Sequence, residues 1–194
     1  MPERFDRIVH LCVDMQRMFT EETDWYLPWS RRVMPNIIQL VKAAPERTIF
    51  TQFIPPKRTD ECFGAWRDYY RRWPFMLLDE LNPHMLDIDT ALAEFVPSAR
   101  LFKKNIYSPW QTGELHKTLQ DHNIRILIIS GGETDVCVLA TVLGAIDLGY
   151  HVLLARDALC SSSDDAHDAA LDLYHRRYSV QVHPMDTQDI LANY

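Results

Sequence analysis

The stretch 124–149 constrains the fold of this chain more than any other part of the sequence. An apolar, largely β-branched run over residues 124–129 leads to Gly131-Gly132, and an almost wholly apolar run then covers residues 138–148. This order predicts a buried strand, a tight turn and a buried helix. A strand and a helix joined in this way form the first half of a βαβ unit, so the stretch favours a parallel sheet.

A cysteine lies at the predicted junction of that strand and that helix. Cys137 falls in the predicted first turn of the helix, behind the polar residues Thr134 and Asp135, which are candidates for its cap. Free backbone N–H groups and the positive end of the helix dipole meet there, so the position favours a thiolate. We interpret Cys137 as a nucleophile; the alternative is a cysteine that only packs in the core.

Apolar strands alternate with helical segments over most of the 194 residues. The predicted strands are 7–13, 47–53, 100–104, 124–130, 151–155 and 179–183, and the predicted helices are 30–44, 112–122, 136–148 and 164–176, with a shorter one near the C-terminus. This pattern predicts a parallel sheet with helices on both faces. The length fits one domain, 1–194. The long segment 54–96, rich in Pro, Arg and aromatic residues, is predicted to be a lid, a pocket wall or an interface.

Composition and charge exclude several classes of protein. The formal net charge of −7 argues against nucleic acid or an anionic membrane as the main partner. No apolar run approaches the length of a membrane span, and residues 1–7 lack the core of a signal peptide. The four cysteines show neither a Cys-x-x-Cys pair nor dense spacing. We therefore expect a cytoplasmic protein with reduced thiols.

Reactive side chains follow three of the predicted strands. Asp14 ends the first strand, Lys103-Lys104 ends the third, and the fourth leads to Cys137. Ligands of open α/β sheets bind beyond the carboxyl ends of the strands, so these groups are candidates for one site. A carboxylate can take the proton of a thiol, and an ammonium can hold the thiolate. The alternatives are a turn or cap role for Asp14 and an exposed strand-end charge for Lys104.

Histidine does not fit this group. His10 lies inside the first predicted strand, and His116 and His122 lie on a helix predicted to be exposed. A Cys-His dyad is therefore not supported.

Three motifs occur in a fixed order along the chain. They are Val13-Asp14-Met15-Gln16, Lys104-Asn105-Ile106-Tyr107-Ser108 and Gly132-Glu133-Thr134-Asp135-Val136-Cys137-Val138, the last followed by Ala140-Thr141. With these motifs the chain resembles the isochorismatase-like cysteine hydrolase superfamily, which includes nicotinamidases, N-carbamoylsarcosine amidases and ureidoacrylate amidohydrolases. The second motif selects Lys104 over Lys103. Asp157-Ala158 also fits, so the resemblance covers nearly the whole chain.

The resemblance implies a fold, a triad and a mechanism. The fold is a Rossmann-like three-layer sandwich with six parallel strands in the order 3-2-1-4-5-6. The triad is Asp14, Lys104 and Cys137: Asp14 deprotonates Cys137, which attacks a carbonyl carbon and expels ammonia or an amine, and water then hydrolyses the thioester. It also implies a cis peptide between Gly132 and Glu133, and an oxyanion hole formed by the backbone N–H groups of Glu133 and Cys137.

Two departures from the family narrow the expected substrate. Nicotinamidases bind a divalent metal through an Asp-x-His segment after the second strand and a further His. Here Thr51-Gln52-Phe53-Ile54-Pro55-Pro56 stands in that place, with no His before His84, so we expect no metal, no cofactor and no nicotinamidase activity. Glu133 stands where many relatives carry a small or apolar residue. We expect it to form a salt bridge with an Arg; the alternative is a contact to a cationic or amine-bearing substrate.

Aromatic residues after the strands and in the segment 63–75 are candidates for the pocket. The predicted pocket wall comprises Phe19, Trp66, Tyr107 and Trp110. Within 63–75, Trp66, Tyr69, Tyr70 and Trp73 are candidates to cap an apolar pocket, and Arg67, Arg71 or Arg72 to bind a substrate carboxylate. The alternative for this segment is a subunit interface, because Trp, Tyr and Arg are enriched there too. Family members commonly oligomerise, so we expect a homo-oligomer, either a dimer or a tetramer.

The leading hypothesis is a cysteine hydrolase that cleaves the amide or carbamoyl/ureido C–N bond of a small molecule. The alternatives are isochorismatase-type hydrolysis of a vinyl ether and a catalytically silent interaction subunit of the same fold.

Overall fold

The computed structural model describes residues 7–193, and its centre is a sheet of six parallel strands. The strands are β1 (Ile8–Val13), β2 (Thr48–Phe53), β3 (Arg100–Lys104), β4 (Ile126–Gly132), β5 (His151–Cys160) and β6 (Val182–Met185). Their order in the sheet is β3-β2-β1-β4-β5-β6. The predicted sheet and the predicted strand order are confirmed.

Helices cover both faces of this sheet. They are α1 (Arg17–Thr20), α2 (Ser30–Ala43), α3 (Ala65–Arg72), α4 (Thr90–Ala93), α5 (Glu114–Asp121), α6 (Leu139–Asp147), α7 (Asp164–Arg177) and α8 (Thr187–Ala192). One core lies between the sheet and α2, α4 and α8, and the other lies between the sheet and α5, α6 and α7. No helix among residues 7–193 is both long enough and apolar enough to span a membrane.

The central strand β1 is buried along its whole length. Successive side chains of a strand point to opposite faces. Ile8 and Cys12 accordingly pack into one core, while Leu11 and Val13 pack into the other. This two-sided burial explains why the strand is a continuous apolar run and not an alternating one.

Strands β4 and β5 extend beyond their predicted ends. The predicted turn at Gly131-Gly132 is wrong, because both glycines belong to β4 and pair with Leu159 and Cys160 of β5. Gly131 has a φ of +106°, and a Cβ there would overlap the backbone carbonyl of Val13. Glycine at this position lets β4 approach the end of β1, which brings the segment after β4 next to Asp14.

The segment between β2 and β3 consists of short helices and turns. Besides α3 and α4 it contains three 3₁₀ turns, Thr59–Glu61, Pro74–Met76 and Pro83–Leu86. The side-chain amide of Gln16 ties this segment to the strand ends, since its Nε2 donates to the carbonyl oxygens of Phe53 and Leu86 and its Oε1 accepts from the Phe53 N–H. The segment is thereby held over the carboxyl edge of the sheet.

Candidate active site

An ion pair between Asp14 and Lys104 lies at the carboxyl edge of the sheet. Asp14 directly follows β1, and Lys104 is the last residue of β3. Nζ of Lys104 donates to Oδ2 of Asp14 at 2.6 Å. Their side chains are only 1% and 3% exposed. Burial by itself lowers the pKa of Lys104, but its interactions with the Asp14 carboxylate and the Cys137 side chain outweigh burial, so that pKa is raised and the ammonium stays charged.

Thr51, at the end of β2, holds the other oxygen of the same carboxylate. Its hydroxyl donates to Oδ1 of Asp14 at 2.6 Å, and the backbone N–H of Asp14 donates to Oγ1 of Thr51 at 3.1 Å. Asp14 has a φ of +50°, which non-glycine residues seldom adopt. Sequence reasoning did not include Thr51 among the site residues. The rule that selected Asp14 and Lys104 would have found it, because Thr51 lies near the end of the strand between theirs.

Cys137, the third residue of the predicted triad, lies in the turn between β4 and α6. This turn, Thr134–Val138, is π-helical, and the Cys137 residue is 7% exposed. The thiol interacts with both the Asp14 carboxylate and the Lys104 ammonium. The structure therefore brings the three predicted catalytic side chains together from three separate strands.

The expected bias of Cys137 toward thiolate is wrong for the free protein. Burial raises the pKa of this thiol well above its ordinary value, and the charge of Asp14 raises it further, while Lys104 lowers it. A helix terminus cannot offset the loss of solvent around a buried thiol. In the resting protein Cys137 is therefore a neutral thiol beside the Asp14 carboxylate.

The predicted helix-capping role of Thr134 and Asp135 is also wrong. Both residues lie inside the π-helical turn, and their side chains reach the last residue of β5 and the loop after it. Oγ1 of Thr134 donates to the carbonyl oxygen of Cys160 at 3.1 Å, and the Ser161 hydroxyl donates to the Asp135 carboxylate. Nδ1 of His167, on α7, lies 2.8 Å from the Thr134 hydroxyl. These contacts fix the turn that carries Cys137, and sequence reasoning missed them because they join distant segments.

Glu133 forms a different contact from the one predicted. Its carboxylate accepts hydrogen bonds from the backbone N–H of Ser162, at 3.1 Å, and from the Ser162 hydroxyl. The predicted salt bridge to an Arg is wrong, since within residues 7–193 Glu133 forms no ion pair. The peptide bond between Gly132 and Glu133 is cis. The oxyanion hole at the N–H groups of Glu133 and Cys137 stays a prediction.

Five aromatic side chains lie against one another, and we call them the aromatic cover: Trp25, Trp66, Tyr69, Tyr70 and Tyr107. The Trp66 ring lies 4.9 Å from that of Tyr107, and Tyr69 lies 6.4 Å from Tyr107. Burial raises the pKa of all three tyrosines, and the charge of Cys137 raises it further. The three phenols are therefore close enough to the thiol for its ionisation to act on them.

The predicted pocket residues separate into two groups. Trp66 and Tyr107 belong to the aromatic cover, and Phe19 stacks on Trp25 at 6.0 Å. Trp110 instead lies against α6, where its Nε1 donates to the carbonyl oxygen of Thr141 at 2.9 Å. The structure does not place Trp110 among the cover residues.

The arginines of the segment 63–75 are on its outer side. Arg67 donates to the carbonyl oxygen of Cys62 at 3.2 Å, Arg71 pairs with Asp68 at 2.9 Å, and Arg72 lies over the Trp73 ring. All three are exposed. The structure does not bring them to the triad, so the predicted contact to a substrate carboxylate has no support in their positions.

The edge of β2 carries no metal-binding set. The Thr51 hydroxyl is bonded to Asp14, the Phe53 ring lies 5.2 Å from Nζ of Lys104, and His84 is exposed beside Asp87. Within the described part of the chain, no three His, Cys, Asp or Glu side chains are grouped so that they could hold a metal ion. These residues do not fit the metal that the nicotinamidase motif would bind.

The fold agrees with comparisons to known proteins. Residues 9–189 match the model of the isochorismatase domain, and the chain therefore belongs to the isochorismatase family. The fold of this family is a hydrolase fold. A relative from Arabidopsis thaliana named a probable inactive nicotinamidase is 26% identical over 178 residues, covering 87% of this chain and 88% of that protein.

Solved structures share the same fold. A cysteine hydrolase from Pseudomonas syringae pv. phaseolicola 1448A superposes with a TM-score of 0.82 at 22% identity, covering 96% of this chain and 92% of the other. A pyrazinamidase of Pyrococcus horikoshii in complex with zinc has a TM-score of 0.68 at 21% identity, covering 93% and 99%. At this level of identity the likeness concerns the fold alone.

Proposed function

We propose that this protein is a cysteine hydrolase that cleaves an amide or carbamoyl/ureido C–N bond of a small molecule through a thioester on Cys137. One observation carries the proposal. The Cys137 thiol interacts with a buried carboxylate, Asp14, whose other neighbours are the Lys104 ammonium and the Thr51 hydroxyl. A candidate nucleophile thus lies beside a candidate base, and that base is held by two direct hydrogen bonds.

Acylation begins from the protonated thiol. Because the pKa of Cys137 is raised, a base has to remove its proton as the sulfur attacks. The Asp14 carboxylate accepts that proton while the S–C bond forms. The proton then passes to the leaving nitrogen as the C–N bond breaks, and ammonia or an amine departs. The N–H groups of Glu133 and Cys137 are the proposed donors to the oxyanion of the tetrahedral intermediate.

Deacylation reverses the proton movements. Asp14, again a carboxylate, accepts a proton from a water molecule that attacks the thioester carbonyl carbon. The C–S bond breaks, a carboxylic or carbamic acid leaves, and the proton returns to the sulfur. Lys104 stays charged throughout, so it favours the ionised forms of both Asp14 and Cys137.

Ammonia release from a panel of small primary amides and ureido acids tests this proposal. We expect at least one compound to be hydrolysed by the protein and none by Cys137→Ala. The panel should include a vinyl ether, whose cleavage is followed through its alcohol and carbonyl products, because isochorismatase-type hydrolysis relies on an acid and not on a thiolate. Hydrolysis of the vinyl ether alone, unchanged in Cys137→Ala, would contradict the proposal. Absence of turnover with every compound would instead favour a silent subunit.

A further inference from the structure

We propose that His167 is a positioning residue for acyl transfer, and that it acts on the turn Thr134–Val138 through the hydroxyl of Thr134. The inference rests on the proposed function, because acyl transfer at Cys137 is the reaction that the turn serves. Its content is one particular hydrogen bond. Nδ1 of His167 carries a hydrogen and donates it to Thr134, and this bond keeps the turn in the shape that acylation needs.

Thr134 is the most deeply anchored residue at the start of this turn. The side chains on either side of it, those of Glu133 and Asp135, are bonded to two serines of the loop after β5. Thr134 itself is fully buried, and its hydroxyl reaches the end of β5 and the helix α7, which carries His167. The contact with His167 therefore ties the turn to a helix and not to a loop.

The direction of this hydrogen bond follows from the number of hydrogens available. A hydroxyl carries one hydrogen, and Thr134 donates it to the carbonyl oxygen of Cys160 at 3.1 Å. The 2.8 Å contact between the same hydroxyl oxygen and Nδ1 of His167 then needs a hydrogen on Nδ1. A neutral imidazole with its hydrogen on Nε2 would leave two acceptors facing each other.

A second aromatic ring packs near the imidazole. The ring of His167 lies 6.3 Å from that of Trp29, the residue directly before α2, and the guanidinium of Arg32 lies 4.5 Å from the centre of the Trp29 ring. His167 is half-buried. A phenylalanine in its place would keep a ring beside Trp29 and lose only the N–H group, so the hydrogen bond can be tested apart from the packing.

The position of Thr134 bears on both proposed oxyanion donors. Thr134 lies between Glu133 and Cys137, whose backbone N–H groups are those donors. The carbonyl oxygen of Glu133 also accepts from the N–H groups of Val136, at 3.1 Å, and Val138, at 3.0 Å, so the turn folds back on the residue before Thr134. A displacement of Thr134 therefore moves both donors, and a misplacement of about 1 Å can cost about 10² in rate.

Acylation of Cys137 by p-nitrophenyl acetate tests the inference with an activated ester in place of the substrate. The release of p-nitrophenolate gives the rate, and peptide mass spectrometry locates the acetyl group. We expect His167→Phe to slow acylation about three- to tenfold, which is the range for the loss of one neutral hydrogen bond. His167→Asn should restore most of the rate, because the amide nitrogen of Asn carries hydrogen at the place of Nδ1. The control is His175→Phe, an exposed position on the same helix, which should not change the rate.

Two further measurements separate positioning from a general loss of structure. Thr134→Val removes the hydroxyl through which His167 acts, so adding His167→Phe to it should slow acylation hardly any further. Alkylation of Cys137 by iodoacetamide forms no oxyanion, so His167→Phe should slow alkylation less than acylation. Nitrogen-15 NMR of the imidazole should show a hydrogen on Nδ1 of His167 in the unmodified protein and in the Cys137→Ala variant.

Several results would overturn the inference. They are an acylation rate that His167→Phe leaves unchanged or that His167→Asn does not restore, equal slowing of acylation and alkylation, additive losses in the double variant, and an Nδ1 without hydrogen. Failure of the proposed function gives a different result, an unmodified protein that takes up no acetyl group at Cys137. In that case the Nδ1 hydrogen and the amide resonances of Glu133 and Cys137, which His167→Phe should shift and His167→Asn should restore, still decide whether His167 holds the turn.

Discussion

Thr51 and Asp14 hydrogen-bond to each other in both directions. The Thr51 hydroxyl donates to Oδ1 of the carboxylate, and the Asp14 backbone N–H donates to the hydroxyl oxygen. Oδ1 is thereby occupied, and Oδ2 faces Lys104. Thr51 fixes the orientation of the carboxylate of Asp14, whose backbone has a positive φ, and we therefore expect Thr51 to be a positioning residue.

Replacing Thr51 by Val should lower kcat about 10- to 100-fold with little change in KM. Val has nearly the shape of Thr but no hydroxyl, and a hydrogen bond to a charged group contributes about 1.5–3 kcal/mol. Thr51→Ser keeps the hydroxyl and should restore most of the rate. Steady-state kinetics of the unmodified protein, Thr51→Val and Thr51→Ser on one substrate provide the comparison. A normal kcat in Thr51→Val would contradict the positioning role of Thr51.

The pH dependence of Cys137 should shift in opposite directions in two variants. The negative charge of Asp14 raises the pKa of this thiol and the positive charge of Lys104 lowers it. Asp14→Asn should therefore move the alkylation midpoint to lower pH, and Lys104→Met should move it to higher pH. Iodoacetamide labelling across pH, located at Cys137 by peptide mass spectrometry, measures both. Shifts in one common direction would show that the three groups do not interact as described.

Losses of activity within the triad should not add. Removal of a general base costs about 10² to 10⁴ in rate, so Asp14→Asn should lose that much, and Cys137→Ser at least as much because a hydroxyl is a weaker nucleophile. The double variant should be hardly worse than Cys137→Ser, since residues that act as a unit are not independent. Values of kcat/KM for the single and double variants test this prediction. If the double variant loses a factor equal to the product of the two single losses, the residues act independently.

Catalysis should survive prolonged dialysis against a chelator. The segment 51–56 stands where the nicotinamidase motif would place metal ligands, and it offers neither an imidazole nor a carboxylate. Activity before and after dialysis, with and without added zinc, manganese or iron, is the measurement. A loss that a metal restores would contradict this expectation and reopen nicotinamidase-type chemistry.

The sequence predicted six strands and the convergence of Asp14, Lys104 and Cys137, because parallel strands place their carboxyl ends at one edge. The sixth strand was predicted too early, at 179–183, whereas β6 is Val182–Met185. The sequence did not predict the extension of β5 to Cys160, since that depends on pairing with Gly131 and Gly132 across a register shift. Burial explains why the predicted thiolate at Cys137 is wrong. The sequence pattern indicates a helix terminus at this position, but it does not indicate how much solvent the fold removes from the thiol.

Side-chain contacts between distant segments were the other feature hidden from the sequence. Ser162 was not identified as the partner of Glu133, because 29 residues and a whole strand separate them. Trp110 follows β3 closely, as pocket residues often do, yet its indole lies against α6. Proximity to a strand end in sequence does not fix which way a loop turns.

The intact mass of the protein, quenched with acid during turnover of a hydrolysed amide, tests the central claim most directly. A thioester predicts a mass increase equal to the acyl group, located at Cys137 by peptide mapping and removed by hydroxylamine. The adduct should be absent from Cys137→Ala and from protein without substrate. Turnover with no adduct in single-turnover quench experiments, or with an adduct on Cys12, Cys62 or Cys160, would contradict the assignment of Cys137 as the nucleophile.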